Sequence, residues 1–503
     1  MIAVTQQAEF ISVLRRWAIL ISITLATMQY AMAILVVSVV LPQMQGSLSA
    51  TQDEIAWVMT FNILATAVLT PMSGWLAARF GRRQVMLGSM AGFTVATLFC
   101  GLATNLPMLV LFRIAQGAFG APLIPLGQAV ILDTFPKHQH GVATSVFGMA
   151  VVVGPVIGPI WGGWLAEDYG WPAAFFMFLP FGAIALVGLY AFLPDKSRPS
   201  GVTLDWTGFL SLSVAIICLQ LLLSRGQRLD WFESPEIIIE TVLALVAFHV
   251  FVVHSVTAQR PFLEPRLLLN RNFLIGLIIV AIYGMLNFTP MVLLPPMLQG
   301  LLGYPDSVIG IILGLRGAGA IGGFFAAIFL SKIDPRIGIS IGFLIQVASG
   351  LHMSSFDTNA TIIDVGLNSV LQGMAVGIIW VPLTVATFAT LDNKFLDEAS
   401  AVYHMLRNLG SAVFISLSVT IVIISTSANY AEMNEFISDF NKVLTLPWSL
   451  GAWNTDSGAS LAALSSEMDR QAALIGYINA FKAYTIASLA VLPLIALVRI
   501  PKS

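Results

Sequence analysis

Three arginines and a lysine, Arg113, Arg316, Arg407 and Lys482, fall inside segments otherwise too apolar to hold a charge. An arginine in mid-bilayer costs about 3 kcal/mol unless it faces water or a partner. Arg113 lies about seven residues, or roughly 10 Å, from the outer end of its helix. Gln116 follows one turn later on nearly the same face. Such a pair can line a cavity and donate hydrogen bonds to a polar solute; snorkelling outward is the competing reading. Arg316 and Arg407 could instead bond backbone carbonyls, and Lys482, close to its helix end, snorkels. Groups able to carry a proton are scarce. Asp133 ends one apolar segment at its cytoplasmic mouth, and His404 lies within another, three residues before Arg407. These two are the candidates for proton coupling; Asp364, Glu240, His249 and His254 are weaker ones. His249 and His254 point about 140° apart on a helix, so they do not form a metal pair. Gln29, Asn62, Asn287 and Gln346 add uncharged polar groups that line a pathway or pair with one another. So many arginines beside so few acids predict a compartment of positive potential, which favours anionic solutes.

The elements holding these residues are membrane spans. Of 503 residues, 57% are hydrophobic and 10% charged, and the mean hydropathy is +0.87. Soluble domains carry about 25% charged residues. A span needs about 20 apolar residues, and a scan on that basis gives about 14 candidates, the first at 17–41 and the last at 479–499. Arg15-Arg16 precede the first, which is too long for a signal-peptide core and reads as an uncleaved helix. Both cysteines, Cys100 and Cys218, fall in apolar spans and read as small core residues. With the N-terminus inside, 16 of the 24 Lys and Arg collect on the cytoplasmic side, four lie outside and four lie within spans. Both termini are therefore expected in the cytoplasm.

Two stretches of the chain look like copies. Ala143-Thr-Ser-Val-Phe147 matches Ala399-Ser-Ala-Val-Tyr403, and Gln116-Gly117 matches Gln372-Gly373, both at an offset of 256. Leu41-Pro-Gln-Met44 matches Leu294-Pro-Pro-Met297 at 253. Duplicated helical halves are the usual build of a secondary transporter. The expected division is an N-terminal six-helix bundle at 1–195, two inserted helices at 196–269 and a C-terminal six-helix bundle at 270–503. A long outer loop at 427–478 has ends that read as helical continuations and a turn-rich tip at Leu446–Trp453. Long ordered loops are usually functional, and this one suits docking of a partner.

Three motifs punctuate the spans. Gly74-Trp-Leu-Ala-Ala-Arg79-Phe-Gly81-Arg82-Arg83 forms a cytoplasmic turn in which glycine permits the tight bend and the arginines anchor to the inner leaflet. Arg113-Ile-Ala-Gln116-Gly117 begins the polar part of the fourth span. Gly154-Pro155-Val-Ile-Gly158-Pro159-Ile-Trp-Gly162-Gly163 repeats glycine every four residues, which lets another helix approach closely, while its prolines permit bending. One decoy is set aside. Gly317-Ala-Gly319-Ala-Ile-Gly322 fits a dinucleotide pattern, but no strand precedes it and it lies within a span. No Walker sequence or metalloprotease motif appears, no catalytic set clusters at one depth, and nothing calls for a cofactor or a nucleic acid.

The first motif resembles the loop signature of the major facilitator superfamily, G-x-L-a-D-r-x-G-r-[KR], with Ala78 standing where that family has Asp. The third resembles the G-P-x-x-G-[PG]-x-x-G-G motif that marks drug exporters within it. Leu229-Asp-Trp-Phe-Glu-Ser-Pro-Glu236 and Leu267-Leu-Leu-Asn-Arg-Asn-Phe273 resemble EmrB-type members of the 14-span drug:proton antiporter branch. The similarity runs over nearly the whole chain and is strongest over 40–300. It implies an all-α polytopic fold of two six-helix bundles plus two inserted helices. It also implies multidrug efflux across a bacterial inner membrane, with a periplasmic adaptor and an outer-membrane channel as partners. Aligned on Leu41-Pro42, the family's first-span acid and Asn fall at Ala33 and Ser38. Gly154, Pro155 and Gly158 are expected at the rocking interface, and Arg113, Gln116, Arg316, Arg407, Gln29 and Asn62 around the cargo. The alternatives are export of an anionic metabolite such as a carboxylate siderophore, and a facilitator that moves no protons.

Overall fold

Inside a bilayer the backbone finds no water, so each apolar run must close its own hydrogen bonds as a helix. The computed structural model describes residues 12–195, 203–330, 334–438, 441 and 458–499. It contains α1 (Val13–Ser47), α2 (Gln52–Leu69), α3 (Ser73–Phe80), α4 (Arg82–Gly101), α5 (Leu106–Gly120) and α6 (Leu123–Thr134). These are followed by α7 (His140–Tyr169), α8 (Ala173–Phe176), α9 (Phe178–Phe192), α10 (Trp206–Arg225) and α11 (Pro235–Thr257). The remainder are α12 (Arg271–Gly300), α13 (Asp306–Leu330), α14 (Pro335–Met353), α15 (Ile362–Phe388), α16 (Leu396–Asn434) and α17 (Gly458–Ile495). No strand occurs among the described residues. Among the described residues, thirteen helical runs are long and apolar enough to cross a membrane, 14 when the pair Glu54–Leu69 and Ser73–Phe80, bent by 56°, counts as one span. The bend falls at Pro71, whose ring cannot continue the ladder.

Local chemistry sets the helix ends. Thr51 and Glu54 form a capping box, Asn105 accepts the Met108 N–H at 2.9 Å, and Asp334 accepts that of Arg336 at 2.9 Å. Gly81 joins α3 to α4 at φ 86°, a left-handed conformation that favours glycine. Helix occupies both ends of the segment 427–478: α16 runs on to Asn434 and α17 starts at Gly458. The tip Leu446–Trp453 lies outside the described residues.

Contacts divide the chain into two units, Met1–Ile217 with Leu243–Phe273 and Phe388–Met405, and Cys218–Val242 with Leu274–Thr387 and Leu406–Ser503. In the first unit α7 lies directly on α1. A Cβ at Gly154 would meet the Met28 carbonyl oxygen at 3.0 Å, and one at Gly158 the Met32 carbonyl oxygen at 2.7 Å. The glycines expected at a moving seam thus face a neighbour of their own unit, with Pro155 between them inside α7. In the second unit a Cβ at Gly319 or Gly323 of α13 would meet α15 backbone at 2.2 Å. Close approach replaces hydrophobic driving force as the source of cohesion between helices in lipid. The most apolar window of α11 is only 11% buried, so most of its surface suits lipid. His249, exposed on it, is not drawn into the core.

Overpacking a tight contact costs about 1–3 kcal/mol. Gly158→Leu is therefore expected to lower the melting temperature of the detergent-solubilised protein by several degrees. Gly88→Ala, with nothing within 4 Å of the new methyl, should leave it unchanged. Differential scanning fluorimetry compares the two.

Candidate functional site

Arg113 is 1% exposed and bonded on several sides. Its Nε donates to the Val58 carbonyl at 3.1 Å, and its Nη1 to the Ala33 carbonyl at 3.4 Å and to Gln116 Oε1. Gln116 passes the chain on, its Nε2 donating to Thr97 Oγ1 at 2.7 Å. Asn62 donates to the Arg113 carbonyl at 2.8 Å. Arg113, Gln116 and Asn62 are thus brought together, and snorkelling is excluded for Arg113. Gln29 is not part of this group; it lines a separate, largely apolar cavity of ≈ 130 Å³ with Met32, Trp161 and Phe178.

The second unit holds its own buried arginine. Arg316, 3% exposed, donates through Nη2 to the carbonyl and the side-chain Oδ1 of Asn287, the latter at 2.8 Å. Among the described residues neither Arg113 nor Arg316 forms an ion pair. The repeat is visible in detail. Gln372 donates to Met353 Sδ at 3.0 Å, 19 residues away, just as Gln116 reaches Thr97 across 19 residues. A Cβ at Gly117 would meet the Asn62 carbonyl at 2.4 Å, and one at Gly373 the Arg316 carbonyl at 2.0 Å. Asn62 and Arg316 therefore occupy equivalent places, and the arginine sits on opposite members of the helix pair in the two repeats. Satisfaction differs too. Arg316 Nε, both amide atoms of Asn368, Gln372 Oε1 and Ser349 Oγ are buried without a hydrogen-bond partner among the described residues. Arg407, 7% exposed, donates to Asn408 Oδ1 at 3.1 Å, and its guanidinium lies 5.3 Å from the centre of the Trp380 ring.

A charged clasp forms within the first unit. Arg82, the first residue of α4, donates through Nε to Asp397 Oδ1 and Oδ2 at 2.7 and 2.9 Å, and through Nη1 to Asp133 Oδ2 at 2.7 Å. Asp133 also accepts from Asn393 at 3.4 Å. Further along α16, Ser400 donates to the Pro125 carbonyl at 2.8 Å and His404 Nε2 lies 2.6 Å from Gln128 Oε1. Gly74 lets α3 touch α16 directly, since a Cβ there would fall 2.9 Å from Glu398 Cα. Glu398 Oε1 accepts the Glu264 N–H. Asp205 gathers the ends of α10 and α11, accepting from Gly208 and Phe262 N–H at 3.0 Å each and lying 2.8 Å from His254 Nε2. Beside these contacts a cavity of ≈ 410 Å³ is lined by Trp75, Ala78, Arg260, Lys394, Asp397 and Glu398, among others. Of the other loop arginines, Arg79 is exposed and Arg83 donates to the Tyr190 carbonyl at 2.7 Å.

The structure thus gathers Arg82, Asp133, Gly74 and Gly81 about the first turn of α16, with His404 farther along that helix against Gln128. Sequence reasoning missed Asp397, Glu398 and Gln128. A signal for the first two was present: adjacent acids open a span, where the helix dipole favours them.

A profile described as Major Facilitator Superfamily matches residues 20–415. The multidrug export protein EmrB of Escherichia coli strain K12 is 32% identical over 429 residues, covering 84% of this chain and 83% of that one. The fatty acid resistance protein FarB of Neisseria gonorrhoeae is 30% identical over 486 residues, covering 96% of each. Among solved structures, the human organic anion transporter MFSD10 superposes with a TM-score of 0.63 at 14% identity, over 95% of this chain and 99% of that one; the likeness is one of fold. The chain belongs to the Major Facilitator Superfamily, among its EmrB-type members.

Proposed function

We propose that this chain is an inner-membrane secondary active exporter of drugs and other small amphipathic molecules, working by alternating access with both termini in the cytoplasm. One observation carries the reading: similarity to EmrB over more than four-fifths of both chains, on a fold with 13 to 14 candidate spans among the described residues. FarB is named for resistance to fatty acids, which are also amphipathic, and it aligns from end to end. A siderophore has no such support. The same relatives argue for a transporter and not an enzyme.

In this reading the halves 1–195 and 270–503 rock about the cargo, with 196–269 as an insertion. The clasp at Arg82 is the closed cytoplasmic gate, because residues 388–405 of the later half are fastened to helices of the earlier one. Asp133 and His404, the proton-coupling candidates, both sit in that fastening. A proton on Asp133 removes one of the two negative charges that hold Arg82. Arg316, with the amide of Asn368 and the Oε1 of Gln372 in the same unit, all of them holding atoms without a partner among the described residues, is the candidate contact for polar groups of the cargo. Arg113, bonded through Nε and Nη1 within its own unit, holds the bundle in shape around the cavity.

The adaptor fits the outer side. Helices of 39 and 38 residues, α16 and α17, are each about 57 Å long, against about 30 Å of hydrocarbon. Their overhang is joined by Tyr430 Oη and Ser465 Oγ at 2.8 Å, and farther in by Asn479 and Ser425 at 2.7 Å. It offers a periplasmic adaptor, and through it an outer-membrane channel, a helical docking surface.

Everted vesicles with an acidic interior test the export reading. Adding a lipophilic cationic dye should dissipate part of the pH gradient while the dye accumulates. Accumulation independent of the gradient would instead identify a facilitator, and none at all would remove the exporter reading. Asp133→Asn and His404→Gln should each slow gradient-driven uptake about tenfold or more, roughly 1.4 kcal/mol. Arg316→Gln should raise KM for a fatty-acid cargo more than it lowers kcat, as loss of a binding contact requires; equal parameters for this variant and the parent would remove Arg316 from the cargo site.

A further inference from the structure

Ala78 lies one turn beyond Gly74 on α3 and lines the same cavity as Lys394, Asp397 and Glu398. A methyl group there gives Arg82 nothing to bond. The carboxylate that Arg82 does hold through Nε is on another element, the first turn of α16, and both of its oxygens accept. Asp397 and Glu398 are the acidic residues of that first turn. The positive end of a helix stabilises such acids. Asp397 therefore keeps a favourable partner when its bond to Arg82 breaks, and Arg82 keeps Asp133. A carboxylate on α3 would behave differently, since α3 and α4 are joined through the single residue Gly81 and remain together.

We propose that Asp397 is the positioning residue of the cytoplasmic gate, and that it supplies from α16 the negative charge that position 78 lacks. The breakable link is then Arg82–Asp397. Opening costs one of the two ion pairs of Arg82 and leaves Asp133 to hold the arginine in place. Glu398 supports the same joint from the other side, because its carboxylate accepts the Glu264 N–H and so ties the chain leaving the inserted helices to the first turn of α16. The inserted pair is thereby wired to the gate. This inference rests on the alternating-access reading above.

The test reads gate closure directly and needs no cargo. In the full chain, with Cys100 and Cys218 replaced by serine, Ser400→Cys places a thiol at a position that is 0% exposed in the closed arrangement. Its alkylation by a membrane-impermeant maleimide is followed in everted vesicles, where the cytoplasmic face is outward. Asp397→Asn should raise the labelling rate about tenfold, a coupling of roughly 1.4 kcal/mol. Adding Ala78→Asp to that variant should return the rate to within about threefold of the parent, because the charge is restored in the same cavity. Ala78→Asp alone should raise labelling, since it sets a third carboxylate beside Asp397 and Glu398. Asp397→Ser, which still suits a helix start, repeats the test should the Asn variant fold poorly. Parental labelling in the Asp397 variants, or a double variant that labels as fast as its Asp397 parent, overturns the proposal. Dye uptake by the unsubstituted protein, measured in parallel, separates this failure from failure of the export reading.

Discussion

A guanidinium held among membrane helices must find its hydrogen-bond acceptors inside the protein, because lipid supplies none. Much of this chain's internal order follows from that constraint. Arg113 meets it with two carbonyls and a glutamine, and in doing so pins α1, α2 and α5 together. Arg316 meets it with Asn287 on α12 and leaves its Nε unbonded. Arg82 alone among them meets it with two carboxylates, one on α6 and one on α16. The first solution is rigid, since moving Arg113 would strand several buried groups at once, each costing about 1–3 kcal/mol. The third is divisible, because one carboxylate can leave while the other remains.

Under the proposed export cycle, this difference would give the two arginine systems different places in it. A network bonded on several sides suits a bundle that moves as a body. A divided ion pair at a partly hydrated surface suits a gate, where the bond must be strong enough to close and weak enough to reopen. Two unit charges 4 Å apart interact by about 4 kcal/mol at an effective dielectric of 20, before desolvation is deducted. The side chains of Arg82, Asp133 and Asp397 are 21%, 13% and 20% exposed, which puts the pair in this intermediate regime.

Much of the fold was legible in the sequence, for a physical reason. Span length is dictated by bilayer thickness, so apolar runs reveal helices one by one, and the duplicated segments reveal the pairing of spans. The repeat survives down to Gln116 and Gln372 reaching equivalent partners. Gly81 and the α7 glycines were legible because only glycine meets the backbone demand there. Partners were harder to read. Arg113 and Gln116 were predicted as neighbours because a helical turn joins them, but the carbonyls of Ala33 and Val58 carry no side-chain signature. Gln29 shares a polar character with Asn62 yet faces an apolar cavity, since polarity alone does not give direction. Asp397 carries no signal in the loop motif, because it lies 319 residues beyond Ala78 in the chain and only folding brings the two to one cavity.

The central claim is that Arg82 fastens the first turn of α16 to the helices around it. Spin labels at the exposed positions 79 and 394 would report on that contact by double electron–electron resonance in nanodiscs. A single short-distance population in the unliganded protein, giving way to a longer one on Arg82→Gln, is the predicted outcome. A distribution that is long from the start, or one that ignores the loss of Arg82, would contradict the account.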